Sequence, residues 1–420
     1  MRLEKLKLEN FRGFESATLS FHPEVTVLVG ANGSGKTSVL DAIVLVLTNL
    51  LAPQQELRTH DGVRTMHATD YRSGTTGASV IVGLEHEDLH ENLESRLKVV
   101  FDDSGHIREA TRTYRPGVFD QYYENSESRD SVPIVCYYDV ERHARDSTPR
   151  SRDAVYRTPK DAWNDAWSAQ ASFHELFQWF REREDIENAE RVEQPSFRDS
   201  QLVAVRSAIE ALLPGYTRPR VRRPRGAAPM ELKRPALVIT KDHEELAFDQ
   251  LSGGERTLVA LAGDIARRLA IANPTAENPL DGEGVVLIDE VDLHLHPRWQ
   301  AEVVPALRRA FPNLQLVLTT HSLVVLSYVP SECVHLLKDF EVYDAPTPTE
   351  GREPNALATE LYGIPLRPPS VSEEIARISE LIYHEHFDEA RKGLEQLAED
   401  LGDHDTDVVR LTTTLALEEV

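Results

Sequence analysis

The chain is short of sulfur and of positive charge. It has 2 cysteines, Cys136 and Cys333, among 420 residues, and no C-x-x-C pair. Zinc ribbons, a zinc hook and a disulfide framework are therefore not supported, and a reducing, cytoplasmic setting is expected. Lys and Arg number 46 against 70 Asp and Glu, for a formal net charge of −24. That balance argues against broad, passive wrapping of nucleic acid, because like charges repel at long range. Long apolar runs are also missing. The most apolar stretch, Val39 to Ala52, carries Asp41 and Asn49 and is too short to span a bilayer. The start, Met1-Arg2-Leu3-Glu4-Lys5-Leu6-Lys7, alternates charge with Leu and has no apolar signal core. No internal repeat and no long heptad arm is visible.

Apolar residues make up 40% of the chain, enough for a core. The length fits one large domain with insertions, or two domains. Gly30-Ala31-Asn32-Gly33-Ser34-Gly35-Lys36-Thr37 matches the phosphate loop G-x-x-x-x-G-K-[ST]. Its glycines let backbone N–H groups turn inward around phosphate oxygens. Val25-Thr26-Val27-Leu28-Val29 before it predicts a buried strand, and the segment from Ser38 predicts a helix, which is the context the motif requires. Lys36 is expected to reach the β- and γ-phosphates and Thr37 to ligate Mg²⁺, with Ser38 adding a hydroxyl to the α-phosphate. The amides from Gly33 to Lys36 and the positive end of the helix cradle the phosphate chain.

Two further motifs complete a catalytic set. Gly284-Val285-Val286-Leu287-Ile288-Asp289-Glu290 is an apolar strand ending in two acids. Such a strand presents its last residues at the carboxyl edge of a sheet, beside the phosphate loop. Asp289 can then hold Mg²⁺ through a water, and Glu290 can polarise the water that attacks the γ-phosphate. Thr319-Thr320-His321-Ser322 follows the next strand, where His321 would sense the γ-phosphate. His294 and His296, at i and i+2, lack a third ligand, which favours a contact loop over a metal site.

Elsewhere, Leu6 and Leu8, then Phe11 to Phe14 and Ala17 to Phe21, alternate well enough for edge strands. Successive antiparallel strands are expected over Ala78–Leu84, Arg96–Phe101 and Ile107–Tyr114, turning at Asp102 to Gly105. Pro133 to Tyr138 is another apolar run. From Ala162 to about Leu213 the spacing becomes helical, with Phe173, Leu176, Phe177 and Phe180 on one face, and Trp163, Trp167 and Trp179 packed in the same region. Arg218, Arg220, Arg222, Arg223 and Arg225, with Lys233 and Arg234 after them, form a basic Pro-rich run. It reads either as a solvated extended loop or as a nucleic-acid or partner contact. Residues 344 to 370 hold 6 prolines and read as a linker. Beyond it a helical tail is expected: a capping box of Ser370 and Glu373, a stripe of Ala390, Leu394, Leu397 and Leu401 stopped by Gly402, and a stripe of Val408, Leu411 and Leu415.

Together with Leu251-Ser252-Gly253-Gly254-Glu255-Arg256, these motifs resemble the ABC-class ATPase heads of the RecF, SMC and OLD-nuclease group. Asn10-Phe11-Arg12-Gly13-Phe14 resembles that group's opening signature, and Glu255 stands where transporter subunits end the motif in Gln. The chain is more closely similar to compact bacterial AAA-like ATPases of Septu-type and retron-associated anti-phage systems. The run from Ile288 to Pro297 followed by Trp299-Gln300, the segment Tyr137-Tyr138 with Arg142, and Phe387-Asp388-Glu389-Ala390-Arg391 carry that likeness.

The resemblance implies an α/β, ABC-type ATPase head: a mixed sheet with a phosphate-loop core, an antiparallel β subdomain, a helical insertion and a C-terminal helical tail. Residues 1–150 and 236–345 would form the two parts of the head, 151–235 the insertion with the basic loop, and 346–420 the linker and tail. It implies that Ser252, Gly253, Gly254 and Glu255 contact the γ-phosphate of ATP held by a second copy, with Asp292 and the histidine run at that copy's site. Arg12 would lie near the nucleotide and Arg72 at the position of an arginine finger. The usual Q-loop glutamine is missing, leaving Asp139 or Glu141 for its place. ATP and Mg²⁺ are the implied cofactors. An ATP-dependent homodimer and a separate effector, an HNH-type nuclease, are the implied partners, because the chain after residue 345 is too short for a Toprim nuclease domain. A RecF-like DNA-binding repair protein is the alternative, and no membrane partner is expected.

Overall fold

The computed structural model describes residues 1–51, 66–75, 77–85, 93–101, 107–113, 131–140, 158–167, 173–223 and 235–418. The chain opens with a hairpin, β1 (Arg2–Phe11) and β2 (Phe14–Ser20), then enters β3 (Val25–Val29) and α1 (Lys36–Leu51). β4 (Gly77–Glu85), β5 (Leu93–Phe101) and β6 (Ile107–Thr113) extend the hairpin into a five-stranded antiparallel sheet in the order β2-β1-β4-β5-β6. The first strand is thus interior, paired on both sides, rather than an edge. Its alternation buries Leu3, Leu6 and Leu8 on one face. The expected turn at Asp102 to Gly105 lies outside the described residues.

β7 (Ile134–Tyr138) returns the chain to the core. After it come α2 (Phe173–Glu193), α3 (Ser200–Leu212) and a small antiparallel sheet of β8 (Tyr216–Arg222), β9 (Ala236–Lys241) and β10 (Glu244–Ala247). The strand at 236–241 therefore belongs to this small sheet and not to the core. α4 (Gly253–Ala272), β11 (Gly284–Ile288), α5 (Pro297–Ala310), β12 (Leu314–Thr320), α6 (Leu323–Leu326), β13 (Val334–Lys338) and β14 (Glu341–Asp344) follow.

The core sheet has six strands in the order β14-β13-β3-β12-β11-β7. Every residue of β3, β7, β11 and β12 is buried. All four run parallel, which is why they read as continuous apolar runs rather than alternating ones. The outer edge of β7 is sealed by side chains. The indole Nε1 of Trp163 donates to Pro133 O at 2.9 Å and that of Trp167 to Val135 O at 3.2 Å, while Tyr137 N donates to Ala166 O at 2.9 Å. These tryptophans cap a sheet edge, and Trp163 closes a 3-10 turn, Pro159–Trp163, that packs against α4.

Helix α2 buries Leu176 and Phe180. Gly263 of α4 is the contact point: a Cβ there would lie 2.4 Å from Leu176 Cδ2. α4 also holds a buried charge cluster. Asp264 accepts from Arg267 Nη2 at 2.6 Å, Arg268 Nε at 2.8 Å and Tyr138 Oη at 2.8 Å, and Arg268 Nη1 donates to the carbonyls of Ala162 and Asn164.

The chain divides into two compact units, Met1–Pro354 and Asn355–Val420. Within the proline-rich run, α7 (Pro354–Tyr362) forms. α8 (Pro369–Tyr383), α9 (Phe387–Leu401) and α10 (Thr406–Glu418) then share a core of Ile378, Ile382, Ala390, Leu394, Leu397, Val408, Leu411 and Leu415. α8 begins at Pro369 with Pro368 as its N-cap, so Ser370 lies inside the first turn and forms no capping box. Gly402, at φ 91°, ends α9 in a conformation that costs glycine little. Among the described residues no helix is long and apolar enough to cross a membrane.

Candidate functional site

The β3–α1 turn builds a cradle for phosphate. Gly33 and Gly35 have φ of 78° and 104°, backbone that an L side chain would strain. A Cβ on Gly35 would also lie 2.6 Å from the Phe14 ring. Asn32 and Gly33 are exposed at the rim. Ser34 Oγ is buried with no hydrogen-bond partner, which fits a loop shaped for an outside acceptor. Lys36 is buried, and its Nζ donates to Gly30 O at 3.0 Å and Ala31 O at 3.1 Å. Burial lowers its pKa, against the pull of Asp289, Glu290 and Asp292. These features fit a triphosphate.

The acid strand meets this loop. Thr37 Oγ1 donates to Asp289 Oδ2 at 2.7 Å, a hydroxyl and a carboxylate that form a hard-oxygen pair suited to Mg²⁺. Asp289 Oδ1 accepts from Thr319 Oγ1 at 2.5 Å, and the same Thr319 hydroxyl accepts from Glu290 N at 2.7 Å. Thr319 thus orders both acids, a role the motif pattern did not mark. Glu290 has φ 47°, a strained backbone that turns the chain away from the strand direction. Thr320 Oγ1 donates to Asp292 Oδ1 at 2.5 Å. Gln300 bridges the two loops, accepting from Ser322 Oγ at 2.8 Å and donating to Leu295 O at 3.0 Å. His321 is half-buried, and burial together with the Lys36 ammonium lowers its pKa, so its imidazole is neutral at pH 7.

Arg12 closes the site from the hairpin side. Its φ is 50°, its Nη1 reaches Asp41 Oδ2 at 2.7 Å and Ser38 Oγ at 3.4 Å, and its Nε reaches Asp70 Oδ1 at 3.0 Å. It lies over the first turns of the phosphate-loop helix. Arg72 is brought alongside by a bridge between Phe11 and Tyr71, and its Nη1 pairs with exposed Glu15 at 2.6 Å. Asp139 directly follows Tyr138, whose carbonyl accepts from Asp289 N at 2.8 Å. Glu141 and Arg142 lie outside the described residues.

The Ser252 loop is built separately. Ser252 caps α4 in a reciprocal box with Glu255: Glu255 N donates to Ser252 Oγ at 3.4 Å and Ser252 N to Glu255 Oε2 at 2.8 Å. Gly253 has open space where a Cβ would be, whereas a Cβ on Gly254 would lie 2.6 Å from His294 O. The Gly254 turn and the histidine run are therefore in backbone contact. Among the described residues, no hydrogen bond joins Ser252–Glu255 to the phosphate loop of the same chain.

The first part of the basic run, Arg218 to Arg222, lies in β8, and two of the run's arginines, Arg220 and Arg223, are internally paired. Arg220 pairs with Glu245, and Arg223 reaches Glu184 and Asp185 at 2.6 Å each. Arg206 of α3 adds pairs to Glu184 and Glu187. The buried glutamates were not marked by any local motif. Arg225, Lys233 and Arg234 lie outside the described residues. Among the described residues no group of three or more His, Cys, Asp and Glu is arranged to hold a metal ion, and His296 serves as the N-cap of α5.

The parallel core, the phosphate loop and the flanking antiparallel sheet give an ATPase head with the fold of the SMC heads. The chain belongs to the family described as "AAA domain, putative AbiEii toxin, Type IV TA system", whose profile matches residues 25–327. It is 28% identical to the "Retron Ec83 probable ATPase" of Escherichia coli over 98% of this chain and 86% of that protein. It is 38% identical to the "Septu protein PtuA" of Bacillus mycoides over 25% of this chain and 16% of that one. A crystal structure of an Smc head bound to the C-winged helix domain of ScpA superposes with a TM-score of 0.51 at 18% identity, over 83% of this chain and 98% of that chain, a likeness of fold.

Proposed function

We propose that the protein is an ATP-binding and hydrolysing dimerisation switch, the ATPase subunit of a cytoplasmic anti-phage complex that controls a separate effector, an HNH-type nuclease. The observation that carries the reading is the pair of half-sites. Lys36, Thr37, Asp289 and Glu290 converge at one strand edge, while the exposed Ser252 loop has no partner in the phosphate loop of its own chain. A second copy would complete each half with the other's donors. The retron and Septu relatives support the defence role. The internal pairing of Arg220 and Arg223 weighs against a RecF-like DNA-binding protein.

In this mechanism the amides of Gly33 to Lys36 and the Lys36 ammonium bind the phosphate chain of ATP. Thr37 and Asp289 would hold Mg²⁺, which when bound neutralises charge on the β- and γ-phosphates. Glu290 orients the attacking water, and Thr319 holds Asp289 and the Glu290 amide in place for it. Neutral His321 can donate a hydrogen bond from its ring N–H to the γ-phosphate. Arg12, Arg72 and Ser38 flank the nucleotide, and Asn32 and Ser34 line the loop. Ser252, Gly253 and Gly254 of the second copy add hydroxyl and amide donors. Loss of the γ-phosphate removes the shared contact and reopens the pair.

The test is Glu290→Gln. With ATP and Mg²⁺ it should elute as a stable dimer by light scattering, while the unsubstituted protein cycles back to monomer as ATP is consumed. A variant that hydrolyses ATP at the unsubstituted rate removes Glu290 from the chemistry.

A further inference from the structure

We propose that Tyr216 and Lys241, which lie outside every motif above, are positioning residues for the Ser252 loop, acting through the Glu255 carboxylate. The inference rests on the reading of that loop as the donor to the second copy's nucleotide. Tyr216 opens β8 and Lys241 closes β9, and the two stand opposite each other in register. Both point at Glu255. The Tyr216 hydroxyl donates to Glu255 Oε1, Lys241 Nζ donates to the Tyr216 oxygen at 2.6 Å, and Lys241 Nζ lies 3.5 Å from the same Oε1. The other carboxylate oxygen, Oε2, accepts from Ser252 N at 2.8 Å.

A capping box needs only a serine and a glutamate. A lone glutamate in the first turn of a helix keeps several rotamers, and a loop tied to it shares that freedom. Here one oxygen is anchored by a hydroxyl and an ammonium, so the other has a single place to be. The ammonium also lies 4.7 Å from the centre of the Tyr216 ring, a cation–π contact that holds Lys241 in turn. The Tyr216 residue is 2% exposed, so its hydroxyl has little freedom to move. Burial would raise the Glu255 carboxyl, but the Tyr216 and Ser252 hydrogen bonds and Lys241 hold it below its ordinary value. The pair is therefore charged at neutral pH. A glutamine at 255 would keep an acceptor for Ser252 N but lose the charge that retains Lys241. With Gly254 seated against His294 O on the other side, the loop is fixed from two directions before any second copy arrives. This pre-organisation is what an intermolecular phosphate contact needs, since ordering the loop on binding would subtract from affinity.

The test uses the full chain carrying Glu290→Gln, with ATP and Mg²⁺, and compares Tyr216→Phe, Lys241→Met and Lys241→Arg. Tyr216→Phe and Lys241→Met should each weaken the ATP-dependent dimer roughly tenfold, the scale of one charge-assisted hydrogen bond. The double variant should be no worse than the weaker single one, because both act through Glu255. Lys241→Arg should restore dimerisation. Affinity of the monomer for a fluorescent ATP analogue, which depends on the phosphate loop, should not change. Variants that dimerise like their parent overturn the inference, as do variants that lose monomer ATP affinity in the same proportion. A parent that stays monomeric overturns the dimer reading, and this inference with it.

Discussion

Thr319 carries more of the site than its position suggests. Its hydroxyl is shared between Asp289 Oδ1 and Glu290 N, so it fixes one acid by its side chain and the next by its peptide. Thr319→Val keeps the shape and removes both bonds. The expected result is a fall in kcat of roughly tenfold or more, with KM for ATP little changed, in steady-state assays. An unchanged kcat would show that the acids hold themselves in place. His321 gives a second residue-scale prediction. Burial and Lys36 lower its pKa below the ordinary 6.5. The folded protein therefore takes up this proton later than the unfolded chain as pH falls. The stability linked to His321 is present above 6.5 and is lost as pH drops from 6.5 through the folded value. The ATPase rate follows the folded-state value instead, so it should stay flat through pH 6.5 and decline only at lower pH, and the decline should vanish in His321→Asn. Lys36, Thr37 and Asp289 were legible in the sequence because each sits in a contiguous motif. Thr319 was not, because it meets Asp289 only through the parallel pairing of β11 with β12, where Ile288 faces Leu318. Tyr216 and Lys241 escaped for a similar reason: they stand opposite each other only through the pairing of β8 with β9 and reach Glu255, itself in a contiguous motif, only through the fold.

At the scale of elements, composition led to most strands and misread some of their surroundings. The apolar runs at 25–29, 134–138, 284–288 and 314–320 are buried strands. The alternating first strand was expected at an edge, yet β4 covers its free side. The basic run appeared loop-like because of its prolines, which interrupt a ladder, yet β8 pairs with β9 through a register shift between Thr217 and Arg220, and Glu245 and Glu184 neutralise Arg220 and Arg223. Helix α4 is the element where charge matters most. Asp264 is fully buried between Arg267 and Arg268; burial would raise its pKa, but the two guanidinium groups outweigh it and lower the pKa to about 2. Stability from this group is present above the ordinary carboxylate value of 3.8 and lost as pH falls from there through about 2. Asp264→Asn leaves two buried cations without their anion and should cost about 3 kcal/mol of unfolding free energy. Urea titration of the purified variant checks this, and a loss under ~1 kcal/mol would mean that Glu175, whose Oε2 accepts from Arg267 Nη2 at 3.2 Å, and the backbone carbonyls suffice.

Across the whole molecule, the two compact units differ in how they reach stability. The larger has three sheets and a deep parallel core. The smaller depends on one cluster from α8, α9 and α10, reinforced where Arg367 pairs with Asp405 at 2.7 Å and Asp407 at 2.8 Å. A domain of this size stands near the lower limit for a single core. A fragment of residues 355–420 should nonetheless fold, with a helical circular dichroism spectrum and a cooperative melt, and Arg367→Ala should lower its melting temperature. A spectrum of random coil would show that the cluster needs the rest of the chain.

The tryptophan seal on β7 has a consequence for assembly. An open strand edge offers a row of donors and acceptors to any passing chain, and this is how sheets grow into aggregates or swapped oligomers. Here the outward carbonyls of Pro133 and Val135 are taken by indoles and the Tyr137 amide by Ala166 O. The opposite end of the core sheet is a four-residue strand carrying Glu341 and Asp344, charges that discourage pairing. Neither border of the core sheet invites a neighbour's backbone, so the proposed second copy would have to meet this layer through side chains and loops, contacts that can be made and broken without unzipping a strand.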